Sequence, residues 1–365
     1  MHEEHDEPVS GGAGPLLVTG DDLLAAEVLR LGAAAGVTPE VVHDPATALR
    51  RWTAPPLVLV GTDLLGTMAA CHPPRRGRVH VLGHGPVADL AFRDALAVSA
   101  ESVAELPTSQ GWLVEMLTDA GDGRGVPGAS FGVLGGAGGV GATVFAAALA
   151  RVSARSAETL LVDADPLGAG IERVLGMERI DGVRWDAMLH ATGRLSARSL
   201  REALPRRQGL SVLAWPADRA AGPCAMQAFA ARELFSAGRR GFDQVVWDLP
   251  RHPDPVVDEL LARCDGVVLV STLTVPAVTA AARVAARLPG DVPARLVTRG
   301  SGGGVTPQEV SRLLGVPLAC AMPSQRNLDE SVDLGAGPVR SHRGALARAA
   351  RQVLERLRDR EARAA

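Results

Sequence analysis

Short apolar runs alternate with helical stretches along almost the whole chain, and nothing else in the sequence limits its fold as much. A strand buried on both faces reads as a near-continuous apolar run. A helix between two such strands returns the chain so that they lie parallel. From Gly14 the order is PLLVTGDD, a helix at LLAAEVLRLGAAAG, TPEVVHD, a helix at ATALRRW, PPLVLVGTDLL, VHVLGHG, ESVAELP and a helix at SQGWLVEMLTDA. This predicts one α/β domain over 14–118. DAGDGRGVPGAS, residues 119–130, is too rich in turn formers to stay helical and reads as a linker. A second alternation fills 131–365, with strands at FGVLGGA, TLLVDAD, LSVLAW, FDQVVWDLP, DGVVLVST, ARLVTRG and PLACAMP. It predicts a doubly wound parallel sheet, and two domains suit a chain of 365 residues.

Composition removes several classes of function. The formal net charge of −3 gives little support for nonspecific DNA binding, although the 38 basic residues are all arginine and could form a local patch. Cys71, Cys224, Cys264 and Cys320 lie far apart without a CxxC pair, which indicates neither a zinc site nor a disulfide framework. The opening residues 1–13 are acidic and Gly-rich, unlike a signal peptide; His2 and His5 could bind a metal, but a disordered polar tail is the better reading. No run of eighteen apolar residues follows, so a soluble, cytoplasmic protein is expected. The Ala, Arg and Gly bias is that of a GC-rich bacterial genome.

The strand FGVLGG leads directly into AGGVGAT and then the apolar helix VFAAALARV, the setting that a phosphate-binding loop requires. Against GxxxxGK[ST], the match is Gly136, Gly141 and Thr143, with Ala142 in the lysine's place. Gly136, Gly138, Gly139 and Gly141 would let successive N–H groups point inward at a helix N-terminus, and Thr143 would offer a hydroxyl to Mg²⁺. The same glycines suit a tight turn that packs a helix against a sheet, and the loop alone does not choose. Downstream, TLLVDAD sets Asp163 and Asp165, and FDQVVWDLP sets Asp248, at strand ends where ligands of parallel sheets bind. Solvated loop aspartates would read the same way.

In their order and spacing these pieces resemble the deviant Walker A family of MinD and ParA ATPases, whose loop reads KGGxGK[ST]. The resemblance covers residues 131–340. It implies an ATP and Mg²⁺ site formed by Gly136, Ala137, Gly138, Gly139, Val140, Gly141, Ala142 and Thr143. Asp163 and Asp248 would join Thr143 around the metal, and Asp165 would position the attacking water. Arg299, of an Asn-Arg pair whose asparagine is here Thr298, and Pro323 would flank the adenine. Ala137 and Ala142 stand where the family has its two lysines, one serving its own subunit and one reaching across a nucleotide-sandwich homodimer. Their loss removes point charges aimed at phosphoryl transfer. Arg124 is the nearest upstream arginine, with nothing to aim it at the loop. His252 also replaces the glycine of the family's DxPxG.

The N-terminal half resembles a receiver domain of response regulators. Asp21 and Asp22 follow the first strand as the acidic pair does, but Gly61 stands at the phosphoacceptor position and Leu106 precedes Pro107 where receivers have lysine. Asp63 reads as a loop acid, so a docking role is expected in place of phosphorylation. A receiver-like domain joined to a MinD-type domain is the arrangement of CpaE-like proteins, and DGVRWDAMLHATGRLSARSLREALPRR is similar to the actinobacterial branch described as septum site-determining (Ssd). The resemblance implies a regulatory role in septum placement and cell division, with cell-division or Tad-type pilus and secretion proteins as partners. ATP and Mg²⁺ are expected to bind weakly or vestigially, the alternative being an active ATPase of a Tad-type system. GALARAARQVLERLRDREARAA carries Leu346, Ala349, Val353 and Leu357 on one helical stripe. MinD relatives use such a helix for peripheral contact with the inner membrane face, whereas the mixed acids here favour packing.

Overall fold

The computed structural model describes residues 14–121, 127–189, 195–216, 225–300 and 304–364, with side chains to 357. The readings of the tail with His2 and His5, of Arg124 and Cys224, and of residues 190–194 lie outside the described residues. The chain divides into two compact units, Met1–Gly125 and Val126–Ala365.

In the first unit the strands are β1 (Leu16–Val18), β2 (Glu40–Val42), β3 (Val58–Gly61), β4 (Val79–His84) and β5 (Ser102–Leu106). They pair in parallel in the order β2-β1-β3-β4-β5. The helices are α1 (Asp22–Ala34), α2 (Pro45–Arg51), α3 (Thr62–Ala70), α4 (Asp89–Ala97) and α5 (Gln110–Gly121). One core gathers around Trp52, Val58 and Met68, the other around Leu24, Leu59 and Leu113. Strand residues feed the two alternately, as the period of two requires. Asp21 caps α1 by accepting from the N–H groups of Leu23 and Leu24 at 2.9 and 3.2 Å. Helices α3 and α4 were not visible as separate elements in sequence. The first continues directly from the apolar run of β3, and the second leaves Leu90, Phe92 and Leu96 exposed.

The second unit has strands β6 (Ala129–Gly135), β7 (Thr159–Asp163), β8 (Arg206–Arg207), β9 (Leu210–Leu213), β10 (Gln244–Leu249), β11 (Gly266–Thr272), β12 (Ala294–Arg299) and β13 (Leu318–Met322). Its helices are α6 (Ala142–Ser153), α7 (Ile171–Leu175), α8 (Trp185–Leu189), α9 (Ala197–Ala203) and α10 (Ala228–Gly241), followed by α11 (Pro255–Arg263), α12 (Val275–Ala285), α13 (Pro307–Leu314), α14 (Leu328–Asp333) and α15 (Ala345–Ala364). The sheet order is β13-β12-β11-β6-β10-β7-β9-β8. All pairs are parallel except β8 with β9. From β6 the chain builds outward to β7 and β9, returns to β10, then crosses β6 to lay down β11, β12 and β13. That reversal sets the carboxyl ends of β6, β10 and β11 around one crevice, where doubly wound sheets bind ligands.

The seven strands expected from sequence are all present. The eighth, β8, has two residues and no periodicity to read. Helix α5 runs through Gly121 and β6 begins at Ala129, so residues 119–121 and 129–130 belong to regular elements and not to a linker. Leu346, Ala349, Val353 and Leu357 of α15 are buried in the core that contains α6 and β13 residues. The stripe is therefore a packing face, as its mixed charges suggested. Among the described residues no helix is long and apolar enough to cross a membrane.

Candidate functional site

The glycine loop joins the centre of the sheet to α6. Its start is fixed by the Gly136 N–H, which donates to the Val270 carbonyl of β11 at 2.8 Å. A side chain at Gly136 would meet Ala281 of α12 at 2.5 Å, so glycine there lets the helix close on the loop. Gly141 adopts φ +90° and N-caps α6, a conformation that L side chains avoid. The first N–H groups of α6 have no acceptor inside the helix and carry its positive dipole end. Gly138 and Gly139 are exposed, Ala137, Ala142 and Thr143 half-buried. Val140 points its side chain into the core, leaving only its backbone to the loop.

Facing the loop are the acids. Asp163 ends β7 and Asp248 lies one residue from the end of β10, and the two are directly paired in the parallel ladder. Both share the sheet face with Leu161 and Val246, the face covered by α6. The Thr143 hydroxyl faces the Asp248 carboxyl, which is 3% exposed. Burial, then the neighbouring Asp163 charge, holds the Asp248 carboxyl well above its usual range. Burial likewise pushes Asp163 up to about 6, against the N–H bonds that it accepts from Ile171 and Asp165, each at 3.1 Å. Asp165 is half-buried and accepts from the Leu167 N–H at 3.0 Å, which directs its carboxylate into its own turn. The Nε1–H of Trp185 donates to the Asp163 carbonyl at 2.7 Å, and Trp185 stacks on Trp215 at 5.2 Å.

Two arginines approach where the lysines are missing. Arg299 ends β12 on the α6 side of the sheet and reaches past β11 to donate to the Val140 carbonyl at 3.2 Å. A side chain at Gly141 would lie 2.5 Å from its Nη1. Resemblance placed Arg299 beside the adenine, whereas its guanidinium lies on the glycine loop. Arg251 follows β10, and its Nη2 is 3.8 Å from where a Gly138 side chain would begin. Sequence reasoning passed over Arg251, whose one signal was its place after the DLP of the second acidic strand. Pro323 follows β13, three strands from β6, and is exposed.

The donor set fits a phosphate with Mg²⁺ in part. Loop amides and a helix end can receive an anion, and Thr143 with Asp248 supplies the oxygens that such sites offer a metal. Among the described residues no cluster of three or more His, Cys, Asp or Glu side chains could hold a metal by itself.

In the first unit, the Asp63 carboxylate accepts from the Thr19 hydroxyl at 2.8 Å and from the Gly20 N–H at 2.6 Å. A side chain at Gly61 would lie 2.3 Å from Asp63 Oδ1 and 2.6 Å from Thr19 Oγ1. Asp63 thus fills the space that a residue-61 side chain would need.

Comparison with known proteins follows the same division. A family model described as "Rv3660c-like, CheY-like N-terminal domain" matches residues 18–128. The uncharacterized protein Rv3660c of Mycobacterium tuberculosis is 38% identical over 348 residues, covering 92% of this chain and 95% of that one. Among solved structures, a ParA family ATPase from Chlorobium tepidum superposes with TM-score 0.53 at 16% identity, over 61% of this chain and 96% of that one. The cell division protein MinD of Aquifex aeolicus gives 0.51 at 17% identity, over 63% and 97%. These two show the fold of the second unit. The chain belongs to the Rv3660c-like family, a CheY-like domain followed by a parallel-sheet domain of MinD/ParA fold.

Proposed function

We propose that this chain is a regulatory MinD/CpaE-like protein of septum-site determination and cell-division control, with a weak ATP and Mg²⁺ site and little or no hydrolysis. One observation carries the reading. The cradle from Gly136 to Thr143 keeps its shape and its Thr143–Asp248 pair, while both lysine positions are alanine and Arg299 is engaged by the Val140 carbonyl. Loop amides and the α6 N-terminus would hold the phosphates, and Thr143 with Asp248 would hold Mg²⁺, whose bound charge would offset the two buried carboxylates. Arg251 and Arg299 would lie beside the phosphates, but no ammonium is aimed at the transferring group, where one such donor contributes about 3 kcal/mol. The role by docking is supported by the filled seat at Gly61 and by exposed Leu90, Phe92 and Leu96 on α4. A MinD of this fold is known in a MinC:MinD cell division complex from Aquifex aeolicus. Partners of the cell-division or Tad-type class, a nucleotide-dependent homodimer and peripheral membrane contact belong to the same proposal, the last requiring α15 to leave its packing site.

An active ATPase of a Tad-type system is the second reading, favoured by the two arginines beside the loop. Calorimetric titration with Mg·ATP, paired with a phosphate-release assay, separates the two. Measurable binding without turnover supports the regulator. Turnover that vanishes in Asp165→Ala supports the enzyme, and no heat of binding overturns both.

A further inference from the structure

Helix α6 has a second charged end. Its 12 residues place its C-terminus about 18 Å from the glycine loop. There, a cavity of about 490 Å³ opens between the end of α6, the β8–β9 turn and the segment joining α14 to α15. Arg151 and Arg155 enter it from the end of α6, Gln208 from the turn, and Arg340, Ser341 and His342 from the joining segment. No acid lines it. A neighbouring cavity of about 380 Å³ shares Arg155 and His342 and adds Arg351, with Glu355 as its one acid.

Cations at a helix C-terminus are common, because they complement its dipole. That accounts for Arg151, which sits in the last turn of α6. It does not account for three arginines converging from two segments of chain without a counter-ion. Among the described residues Arg151, Arg155, Arg207 and Arg340 form no ion pair with any carboxylate. Their hydrogen bonds go to neutral groups. Arg151 donates to Gln208 Oε1 at 2.6 Å and to the Arg207 carbonyl at 3.3 Å, and Arg155 donates to His342 Nδ1 at 2.7 Å. Since arginine can only donate, His342 Nδ1 is the acceptor of that bond. Burial, and after it the nearby Arg207 charge, lower the Arg151 pKa.

The joining segment is itself fixed. Gln325 Nε2 donates to the Pro338 carbonyl at 3.1 Å, the Ser341 hydroxyl accepts from the Arg343 N–H at 3.2 Å, and Arg351 donates to the His342 carbonyl at 2.9 Å. The cations are therefore presented by a built wall around one space. Guanidinium groups reaching an anion from several directions match a phosphate, whose oxygens point outward tetrahedrally, better than a planar carboxylate.

We propose that this cavity is a second anion site, independent of the glycine loop, which binds the phosphomonoester or pyrophosphate group of a small molecule or of a lipid headgroup. Arg155 and Arg340 supply the charge at its mouth, and Arg151 with Gln208 closes its floor.

The test uses the full chain and inorganic pyrophosphate as probe in calorimetry, with sedimentation on phosphatidylcholine vesicles with and without phosphatidic acid as the second arm. Arg155→Ala and Arg340→Ala, both exposed, are each expected to weaken pyrophosphate binding about tenfold or more. Arg312→Ala, on α13, is expected to leave it unchanged, and Ala142→Glu, which places an acid in the glycine loop, is expected to remove only the loop's own share and to leave the binding that depends on the cavity arginines. Loss in Ala142→Glu alone would mean that the loop is the site and would overturn the proposal without touching the reading of the loop. Pyrophosphate binding lost with the cavity arginines assigns a free phosphorylated ligand. Vesicle binding lost with them, without pyrophosphate binding, assigns a headgroup. Neither, or a gel shift of duplex DNA as the sole response lost with them, overturns the proposal. Melting temperatures close to wild type in both cavity variants show that folding is intact, and salt-dependent pyrophosphate binding of the unaltered chain provides a measure free of mutation.

Discussion

Lowering the pH from about 7 to about 5 without nucleotide or metal is expected to stabilise the C-terminal unit, because two buried carboxylates face each other beneath the glycine loop. Asp163 lies at about 6 in the fold against an ordinary 3.8. The folded state therefore binds the proton more tightly than the unfolded chain, and stability falls as pH rises through that interval. The gap corresponds to about 3 kcal/mol once Asp163 is ionised in both states, of which about 1.3 kcal/mol is recovered between pH 7 and 5. Asp248 and Glu172, both raised by burial, act in the same direction. His80, in the other unit, acts oppositely. Burial depresses its pKa, so its contribution is lost as pH falls through about 6.5. Calorimetry, with the transition assigned by hydrogen exchange on β7 and β10 peptides, should show the C-terminal unit melting about 3 °C higher at the lower pH. Asp248→Asn keeps an oxygen facing the Thr143 hydroxyl and removes a buried ionisable group. It should raise stability at neutral pH and flatten the profile. A unit that is less stable at pH 5, or destabilised by Asp248→Asn at pH 7, would refute the argument that burial dominates these acids.

Other outcomes follow from the same geometry. Ala142→Lys restores an ammonium at the head of α6 and should tighten Mg·ATP binding by about tenfold or more in calorimetric titration, whereas unchanged affinity would show that charge is not what the loop lacks. Gly141→Ala forces a side chain into φ +90° and against Arg299, and should cost about 1–3 kcal/mol in urea unfolding. In the N-terminal unit, Gly61→Ala should cost about 1–3 kcal/mol, and the penalty should shrink in an Asp63→Ala background, since Asp63 occupies most of the disputed space.

Both sheets were legible because parallel strands buried on two faces announce themselves as apolar runs, and the crevice followed from the strand ends. Thr143, Asp163 and Asp248 could be read as a group because each sits next to a strong local pattern. Arg299 could not be assigned its contact, because 159 residues separate it from Val140 and only the order β6-β11-β12 brings them together. Arg251 is a short loop residue with no periodicity, and β8 is too brief to carry any. Helix α4 escaped notice for a different reason. With Leu90, Phe92 and Leu96 facing outward, its apolar residues do not trace the inward stripe by which a helix is recognised.

Asp63 seats a carboxyl group between the ends of β1 and β3, held by Thr19 and Gly20. Under the docking role proposed for this unit, its surface would be the same in every copy, with no phosphoryl group to set or clear. Its signal would then depend on how many copies are present and on what they encounter.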